Sequence, residues 1–288
     1  MVGLARWSNE RVEPYVTLIS TPDYLPGVIA LGRSLRASGT ERPLVVAVAD
    51  GAGAEVETPL KREGLETVRL PKAIRPVGLD QSAAHHWSHT FDKLHLFGLT
   101  QYRKLVYLDS DMMVLSRIDE LFDWPHMSAV AAGRLVHPDW VRLNSGLMVI
   151  EPREGLTEEI VAALPDALRD ASLDGGRIVG DQDLINAYYP EWPVSRLQLD
   201  EGYNMLHPLV DRYIASGRYT LDAQASQRGR ARLIKVIHFI GSAKPWSLRG
   251  MLRHAMARCR GEMLPMQRRT FQMYRRLLRG SPGAFAAA

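Results

Sequence analysis

Cysteine is nearly absent from this sequence, since Cys259 is the one example among 288 residues. A single thiol excludes an internal disulfide and a metal site built from several cysteines. Long apolar runs are absent as well: no stretch approaches the ~20 residues that cross a membrane, and the N-terminal residues lack the apolar core of a secretory signal. These absences predict a reduced, cytoplasmic setting.

Two glycine-rich phosphate-binding motifs are also missing. A dinucleotide-binding domain needs G-x-G-x-x-G at its first strand-to-helix turn, and a P-loop needs G-x-x-x-x-G-K-[ST]. The corresponding turn reads Ser20-Thr21-Pro22-Asp23-Tyr24, and no P-loop string occurs anywhere. The sequence therefore argues against both of these nucleotide-binding classes.

The composition is that of a globular protein, with 46% hydrophobic and 24% charged residues, which argues against disorder, a collagen-like repeat or a coiled coil. The length suits one large domain or two small ones. Basic residues are concentrated near the end: residues 244–279 carry a local charge of +9, which leaves −5 for the rest of a chain whose net charge is +4.

Short β-branched runs alternate with helical patterns in the first half, which predicts βαβ units and a largely parallel sheet. The predicted strands cover 15–20, 43–49, 66–70, 104–108, 128–132, 147–150 and 234–240. The predicted helices cover 22–38, 53–63, 91–100, 156–169 and 182–189.

The tripeptide Asp109-Ser110-Asp111 comes directly after the apolar run KLVYL. Ligands of open α/β sheets bind outside the carboxyl ends of the strands, which is where these acids fall. In an extended segment the side chains of residues i and i+2 point the same way, so both carboxylates could share one hard cation. The alternative is a polar turn that caps the next element of the chain.

His238 lies inside the apolar run IKVIHFI and precedes Gly241 and Lys244. A histidine in such a run is often a satisfied core residue. The neighbouring glycine and lysine favour another interpretation, because backbone N–H groups and an ammonium can bind a phosphate. Two aspartate oxygens, an imidazole and a diphosphate would suit Mn(II).

Two further polar strings are ambiguous. Asp181-Gln182-Asp183 opens a predicted helix, where the acids could cap the N-terminus and complement its dipole, or could present oxygen and amide groups to a sugar. Asn144-Ser145-Gly146 precedes a predicted strand and reads as a hydrogen-bonding turn.

Four motifs in register resemble glycosyltransferase family 8, and the resemblance runs from about residue 15 to 246. They are FDKLHLFGLTQYRKLVYLDSDMMVLSRIDELF (91–122), NSGLMVIEP, GDQDLIN and HFIGSAKPW. The resemblance implies a GT-A fold, with a Rossmann-like central mixed sheet flanked by helices. It also implies transfer of a hexose from a UDP-sugar, with retention of the anomeric configuration and with Mn(II), or Mg(II), as the metal.

The resemblance carries over residue by residue. It implies metal ligands at Asp109, Asp111 and His238, a basic residue near the donor at Lys93, and uridine contacts at Leu18, Ser20, Thr21 and Tyr24. Contacts to the donor are implied at Ser110, Asn144, Ser145, Asp181, Gln182, Gly241 and Lys244. Lys93, Asp181, Gln182 and Asp183 form the candidate catalytic set.

Retention requires a covalent intermediate or same-face attack guided by the leaving phosphate. The amide of Gln182 is a weak nucleophile, so we favour same-face attack, with Asp181 or Asp183 as the backup nucleophile. Ile178 stands where glycogenin-like sequences carry an aspartate, which favours a separate hydroxyl acceptor over self-glucosylation. The expected donor is UDP-glucose or UDP-galactose. A nucleotide-diphosphosugar pyrophosphatase or nucleotidyltransferase, and a non-catalytic sugar-nucleotide-binding module, remain as alternatives.

We assign residues 12–247 to the catalytic domain and 248–288 to a basic helical segment. Residues 263–279 have apolar residues near one face and arginines near the other. They could pack on the catalytic domain, or they could lie on the anionic inner surface of the membrane. Nucleic-acid binding is not expected, because no recognition motif accompanies the charge. His85, His86, Trp87 and His89 could line the acceptor site or form a solvated loop.

Overall fold

The structure, a computed structural model, describes residues 12–75, 90–173, 175 and 178–280. Its centre is a six-stranded sheet with the order β3-β2-β1-β4-β7-β6, in which β1 to β4 are mutually parallel, β7 is antiparallel to β4, and β6 is antiparallel to β7. Its strands are β1 (Tyr15–Ile19), β2 (Leu44–Val48), β3 (Glu66–Arg69), β4 (Leu105–Leu108), β6 (Ala129–Val130) and β7 (Asn144–Ile150).

The central strands β1, β2 and β4 are apolar along their length and buried at each residue. Such continuous runs suit strands that are covered on both faces. The edge strand β3 instead exposes Glu66 and Arg69, and charged side chains discourage further strand pairing. One face packs against Phe91 and Phe97, and the other against Leu31 of the first helix.

A second, three-stranded sheet lies beside the first, with the order β5-β11-β8. β5 (Met112–Val114) comes after β4 and a tight turn, β8 is Met205–Leu206, and β11 is Val236–His238. β11 pairs antiparallel with β5, so that His238 lies opposite Met112. This pairing brings the late part of the chain to the end of β4. A third sheet joins β9 (Tyr219–Thr220) to β10 (Arg232–Leu233).

Helices cover the sheets and close the chain. They are α1 (Leu25–Ala37), α2 (Glu57–Arg62), α3 (Leu156–Ala162), α4 (Leu164–Leu173), α5 (Asp181–Tyr188), α6 (Val210–Ala215), α7 (Ala223–Gln227), α8 (Leu248–Cys259) and α9 (Pro265–Leu278). The segment Thr90–Gly98 is a 3₁₀ helix. α9 packs against α1, where Arg33 donates to the carbonyls of Leu277 and Leu278 at 2.8 and 2.9 Å.

The predicted α/β class with a central mixed sheet flanked by helices is confirmed. Several details of the prediction were wrong. The helix predicted over 156–169 is two helices that meet at Ala163, and the helix predicted over 91–100 is 3₁₀. Asn144, Ser145 and Gly146 belong to strand β7 and do not form a turn before it. β5, β8, β9, β10, α6 and α7 were not predicted.

Candidate active site

The Asp109-Ser110-Asp111 segment is a turn between β4 and β5. The Asp109 N–H donates to the Gly146 carbonyl at 2.8 Å, and the Met112 N–H donates back to the Asp109 carbonyl at 3.0 Å. The expectation that strand alternation aligns the two carboxylates was therefore wrong. They converge because the chain reverses direction between them. The Ser110 carbonyl lies so close to α1 that a Cβ on Gly27 would be 2.6 Å away from it.

His238 ends β11 and faces both carboxylates. Its Nε2 lies 3.2 Å from Asp111 Oδ1 and 3.7 Å from Asp109 Oδ2. One ligand atom from each of the three residues can be chosen so that all lie within 4.8 Å of one another. Two carboxylate oxygens and one imidazole nitrogen are a donor set that Mn(II) and similar cations accept. The residues present thus fit the metal that the sequence predicts.

Lys244 approaches the same acids from the loop after β11. Its ammonium pairs with Asp111 and donates to the Phe239 carbonyl at 3.2 Å. Gly241, at φ +89°, makes the turn that brings the lysine back. Burial opposes ionisation of Asp111, but His238 and Lys244 outweigh it and hold the pKa of that carboxyl well below its usual range. The pKa of Lys244 is raised, because Asp111 outweighs its burial.

Lys93 joins Asp109, one of the candidate metal ligands, to the start of α5. Its Nζ lies 3.1 Å from Asp109 Oδ1, 3.0 Å from Asp181 Oδ2 and 3.2 Å from Ser145 Oγ. Burial alone would lower the pKa of Lys93, but Asp109 and Asp181 raise it well above its usual value. The Tyr107 hydroxyl donates to Asp109 at 2.6 Å, and burial raises the pKa of Tyr107 as well. Lys93 is therefore a charged, buried link between two carboxylates.

The three polar residues at the N-terminus of α5, Asp181, Gln182 and Asp183, make different contacts. Asp183 accepts from the Gly180 N–H at 2.9 Å, so it caps the helix. Asp181 accepts from the Ser145 hydroxyl at 2.8 Å, and Gln182 accepts from the Ser145 N–H at 3.1 Å. The second pair of contacts fixes Asp181 and Gln182 against β7, beside the metal-site acids.

The residues predicted to contact uridine lie at the carboxyl end of β1, next to β4. The side chain of Leu18 is buried in the core. Ser20 and Thr21 come just after the strand, and Tyr24 packs edge-on against Trp246 with ring centroids 5.8 Å apart. Burial raises the pKa of Tyr24.

One buried neighbour of His238 was not predicted from the sequence. It is Asn204, whose Oδ1 lies 2.9 Å from His238 Nδ1. Asn204 belongs to no motif, and its position just before β8 is its only signal. The predicted loop residues His85, His86, Trp87 and His89 lie outside the described residues.

The comparisons with known proteins agree with this geometry. The family model "Glycosyl transferase family 8" matches residues 16–249. This match and the observed fold define a glycosyltransferase with the GT-A architecture. The chain belongs to glycosyltransferase family 8.

Several curated relatives match most of this chain. Glycogenin-1 of Caenorhabditis elegans is 33% identical over 237 residues, which cover 81% of this chain and 51% of the relative. Human glycogenin-1 is 32% identical, with 82% and 62% covered. Inositol phosphorylceramide glucuronosyltransferase 1 of Arabidopsis thaliana is 28% identical, with 81% and 42% covered. The chain thus spans less than two thirds of the length of each of these relatives.

Solved structures share the fold. The galactosyltransferase LgtC, in complex with donor and acceptor sugar analogs, has a TM-score of 0.58 at 17% identity, with 90% of this chain and 99% of that one covered. The glycosyltransferase GlyE of Streptococcus pneumoniae has a TM-score of 0.53 at 17% identity, with 93% and 63% covered. At these identities the likeness concerns the fold alone. Among the described helices, none is long and apolar enough to cross a membrane.

Proposed function

We propose that this protein transfers glucose or galactose from a UDP-sugar to a hydroxyl acceptor, with retention and with Mn(II) bound by Asp109, Asp111 and His238. The observation that carries the proposal is the convergence of these three residues beside Lys244, at the carboxyl ends of the strands. When bound, the cation would act as a Lewis acid that stabilises the charge of the leaving diphosphate.

Lys244 would supply further positive charge at the same point. Its ammonium is held by Asp111 and the Phe239 carbonyl at the position where a diphosphate would approach the metal-site acids. A positive group that is already in place stabilises developing negative charge without reorganising. The exposed turn at Gly241 leaves its backbone open to the same phosphates, and a Cβ built there would meet nothing within 4 Å.

The contacts around α5 support same-face attack. A covalent intermediate needs a free carboxylate below the sugar ring, but Asp181 is bound by Lys93 and Ser145. Asp183 is occupied as the helix cap. Gln182 lies beside Ser145 and offers only an amide oxygen. We therefore assign Asp181 and Gln182 to holding the donor sugar and stabilising its positive charge, and Lys93 to holding Asp181 in place.

The acceptor in this proposal is a separate molecule, because Ile178 stands where glycogenin-like sequences carry an aspartate. The names of the relatives include both glycogenins and glucuronosyltransferases. UDP-glucuronate therefore belongs in the donor panel beside UDP-glucose and UDP-galactose.

Calorimetric titration of UDP, with and without Mn(II), tests the donor site. We expect binding that needs the metal and that is lost in Asp109→Asn and His238→Ala. The exposed acid Asp123 provides the control, since Asp123→Asn removes one carboxylate away from the site and should bind normally. Metal-independent binding, or normal binding in both site variants, would contradict the proposal.

Product analysis with the three donors tests the reaction itself. Glycosyl transfer releases UDP, whereas a pyrophosphatase or nucleotidyltransferase would release or transfer UMP. Metal-dependent binding without turnover of any donor would instead support a sugar-nucleotide-binding module.

We also propose that the enzyme is cytoplasmic and that it contacts an anionic membrane peripherally, through α8 and not through the segment 263–279 that the sequence suggested. The apolar face of α9, which lies within the sequence-predicted segment 263–279, is buried through Met273, Tyr274 and Leu277. On α8 the apolar residues are outside: Leu248, Leu252 and Met256 are 69%, 55% and 52% exposed. Their spacing places them on one helical face, which is the pattern of an interfacial helix.

Arginines flank this face of α8. Arg249, Arg253 and Arg260, the last of which directly follows α8, line the same cavity of about 1060 Å³ as Leu248, Leu252 and Met256. Each basic residue near an anionic bilayer contributes about 1 kcal/mol to binding. The charge of α8 therefore complements an anionic lipid surface.

Vesicle flotation tests this contact. We expect binding to phosphatidylserine vesicles, little binding to phosphatidylcholine vesicles, and loss of binding in Arg249→Gln/Arg253→Gln/Arg260→Gln. The α9 triple variant Arg268→Gln/Arg276→Gln/Arg279→Gln changes the net charge equally and should still bind. Equal losses in both triple variants would show nonspecific charge attraction and contradict a role for α8.

A further inference from the structure

A chain of three hydrogen bonds runs behind His238. The Gly146 N–H donates to Asn144 Oδ1 at 3.0 Å, Asn204 Nδ2 donates to the same oxygen at 2.8 Å, and Asn204 Oδ1 lies 2.9 Å from His238 Nδ1. The chain links β7, the residue before β8, and β11. Asn204 is fully buried.

The orientation of the two asparagine side-chain amides is fixed at Asn144, where the hydrogen bonds begin. An asparagine side chain offers an acceptor at one end and a donor at the other, so a partner with a single role decides its orientation. The backbone N–H of Gly146 can only donate, so the Asn144 atom that faces it is the oxygen. The same oxygen requires a donor from Asn204, which turns the Asn204 oxygen toward His238.

The consequence for His238 concerns its tautomer. The oxygens at both ring nitrogens can only accept, but Asn204 Oδ1 lies 2.9 Å from Nδ1 and Asp111 Oδ1 lies 3.2 Å from Nε2. The shorter contact favours the hydrogen of a neutral imidazole on Nδ1. Nε2, which faces Asp109 and Asp111, then carries the lone pair that a metal ligand needs. Without Asn204, the nearby Asp111 oxygen would favour a hydrogen on Nε2, the form that cannot bind a cation there.

We propose that Asn204 is a positioning residue that holds His238 in the Nδ1–H tautomer and so preforms the metal site; the metal role of His238 rests on the proposed function. Gly146 serves the same arrangement in two ways. It donates the first hydrogen bond, and it lacks a Cβ, which would lie 2.6 Å from His238 Cε1.

Nitrogen NMR of His238 reads the tautomer directly, in metal-free protein at a pH where the imidazole is neutral. We expect the hydrogen on Nδ1 in the unsubstituted protein and on Nε2 in Asn204→Leu. Asn204→Asp retains an oxygen acceptor and should keep the hydrogen on Nδ1. If Asn204→Leu does not fold, Asn144→Leu removes the orienting oxygen one bond further away and should give a mixture of tautomers.

Mn(II) affinity, measured by electron paramagnetic resonance, gives a second readout. Loss of an outer-shell partner typically weakens metal binding about 10–100-fold, which is the loss expected for Asn204→Leu and not for Asn204→Asp. Asn186→Leu is the matched control, because Asn186 is also buried but bonds to Leu143 and not to His238. It should change stability without changing the tautomer or the Mn(II) affinity.

The outcomes separate this inference from the proposed function. If Asn204→Leu leaves the hydrogen on Nδ1, the positioning role is refuted, even if the protein binds Mn(II). If the tautomer changes as expected but the unsubstituted protein does not bind Mn(II), the positioning role holds and the proposed metal site fails.

Discussion

Replacement of Lys93 by methionine removes a buried charge at the junction of two carboxylates while keeping similar bulk. The ammonium lies 3.1 Å from Asp109 and 3.0 Å from Asp181, and its side chain is 8% exposed. After the substitution, Asp109 keeps the Tyr107 hydroxyl, but Asp181 keeps only Ser145 Oγ among these contacts. Breaking a buried ion pair in this way destabilises a protein by about 3–5 kcal/mol, because a charge is left without its partner.

The metal-site hypothesis adds a second expectation for Lys93→Met. The loss of one positive charge makes the cluster of acids more negative, so a divalent cation bound by Asp109 should recover more stability in the variant than in the unsubstituted protein. For a protein of this size, each kcal/mol lost from the free energy of unfolding lowers the melting temperature by roughly 2 °C. The melting temperature in a chelator should therefore fall by roughly 6–10 °C, and Mn(II) should reverse part of that fall.

Lys104→Met is the matched control. Lys104 is equally buried, but its ammonium donates to the carbonyls of Phe122 and Trp124, away from the metal-site acids. Calorimetric melting with and without Mn(II) should show destabilisation in both variants and a metal-dependent recovery only in Lys93→Met. A second check is Lys93→Met/Asp181→Asn, which removes the unpaired charge and should be more stable than Lys93→Met alone. Equal metal responses in the two lysine variants would refute the reasoning.

Three further substitutions test other parts of the molecule. Gly146→Ala places a Cβ 2.6 Å from His238 Cε1, so isothermal titration should show Mn(II) binding weakened by about tenfold or more. In the control Gly32→Ala, the atom nearest to the new Cβ is the flexible Leu65 Cδ2 at 3.0 Å, and Mn(II) binding should be unchanged. Burial lowers the pKa of His207 from 6.5 to about 4, so the unfolded chain takes up a proton in this window before the folded one does, and stability falls as the pH drops from 6.5 to 4. His207→Gln should flatten the pH dependence of urea unfolding by about 3 kcal/mol, and an unchanged profile would contradict it. Arg33→Met removes two hydrogen bonds to the end of α9, and limited proteolysis should then cleave α9 faster than in the exposed-arginine control Arg62→Met.

The sheet could be predicted from local patterns because its central strands are continuous apolar runs. The members of the proposed metal site could be selected from the sequence because their residue types occur at the ends of such runs. The way they meet could not, since it depends on the turn between β4 and β5 and on the pairing of β5 with β11. The turn is too short to show a periodic pattern, and the pairing joins strands that are far apart in the sequence.

Asn204 and α8 show two other reasons why the sequence alone does not predict every structural feature. Asn204 acts through one hydrogen bond to a residue far away in the sequence, which composition and periodicity do not record. The amphipathic pattern of residues 263–279 is the same whether the apolar face meets a membrane or a protein core. The structure buries that face of α9 and leaves the apolar stripe of α8 outside, and only tertiary packing distinguishes the two.

The pairing of β5 with β11 also has a consequence for how the protein is made. The ribosome delivers β1 to β7 first, and these include all six strands of the central sheet. Asp109 and Asp111 are then already present, but His238 and Lys244 are not. A nascent chain therefore passes through a stage in which it has the strands of its central sheet but only the acidic half of the proposed metal site. A chain that stops before β11 should fold its main sheet and remain unable to use a nucleotide sugar.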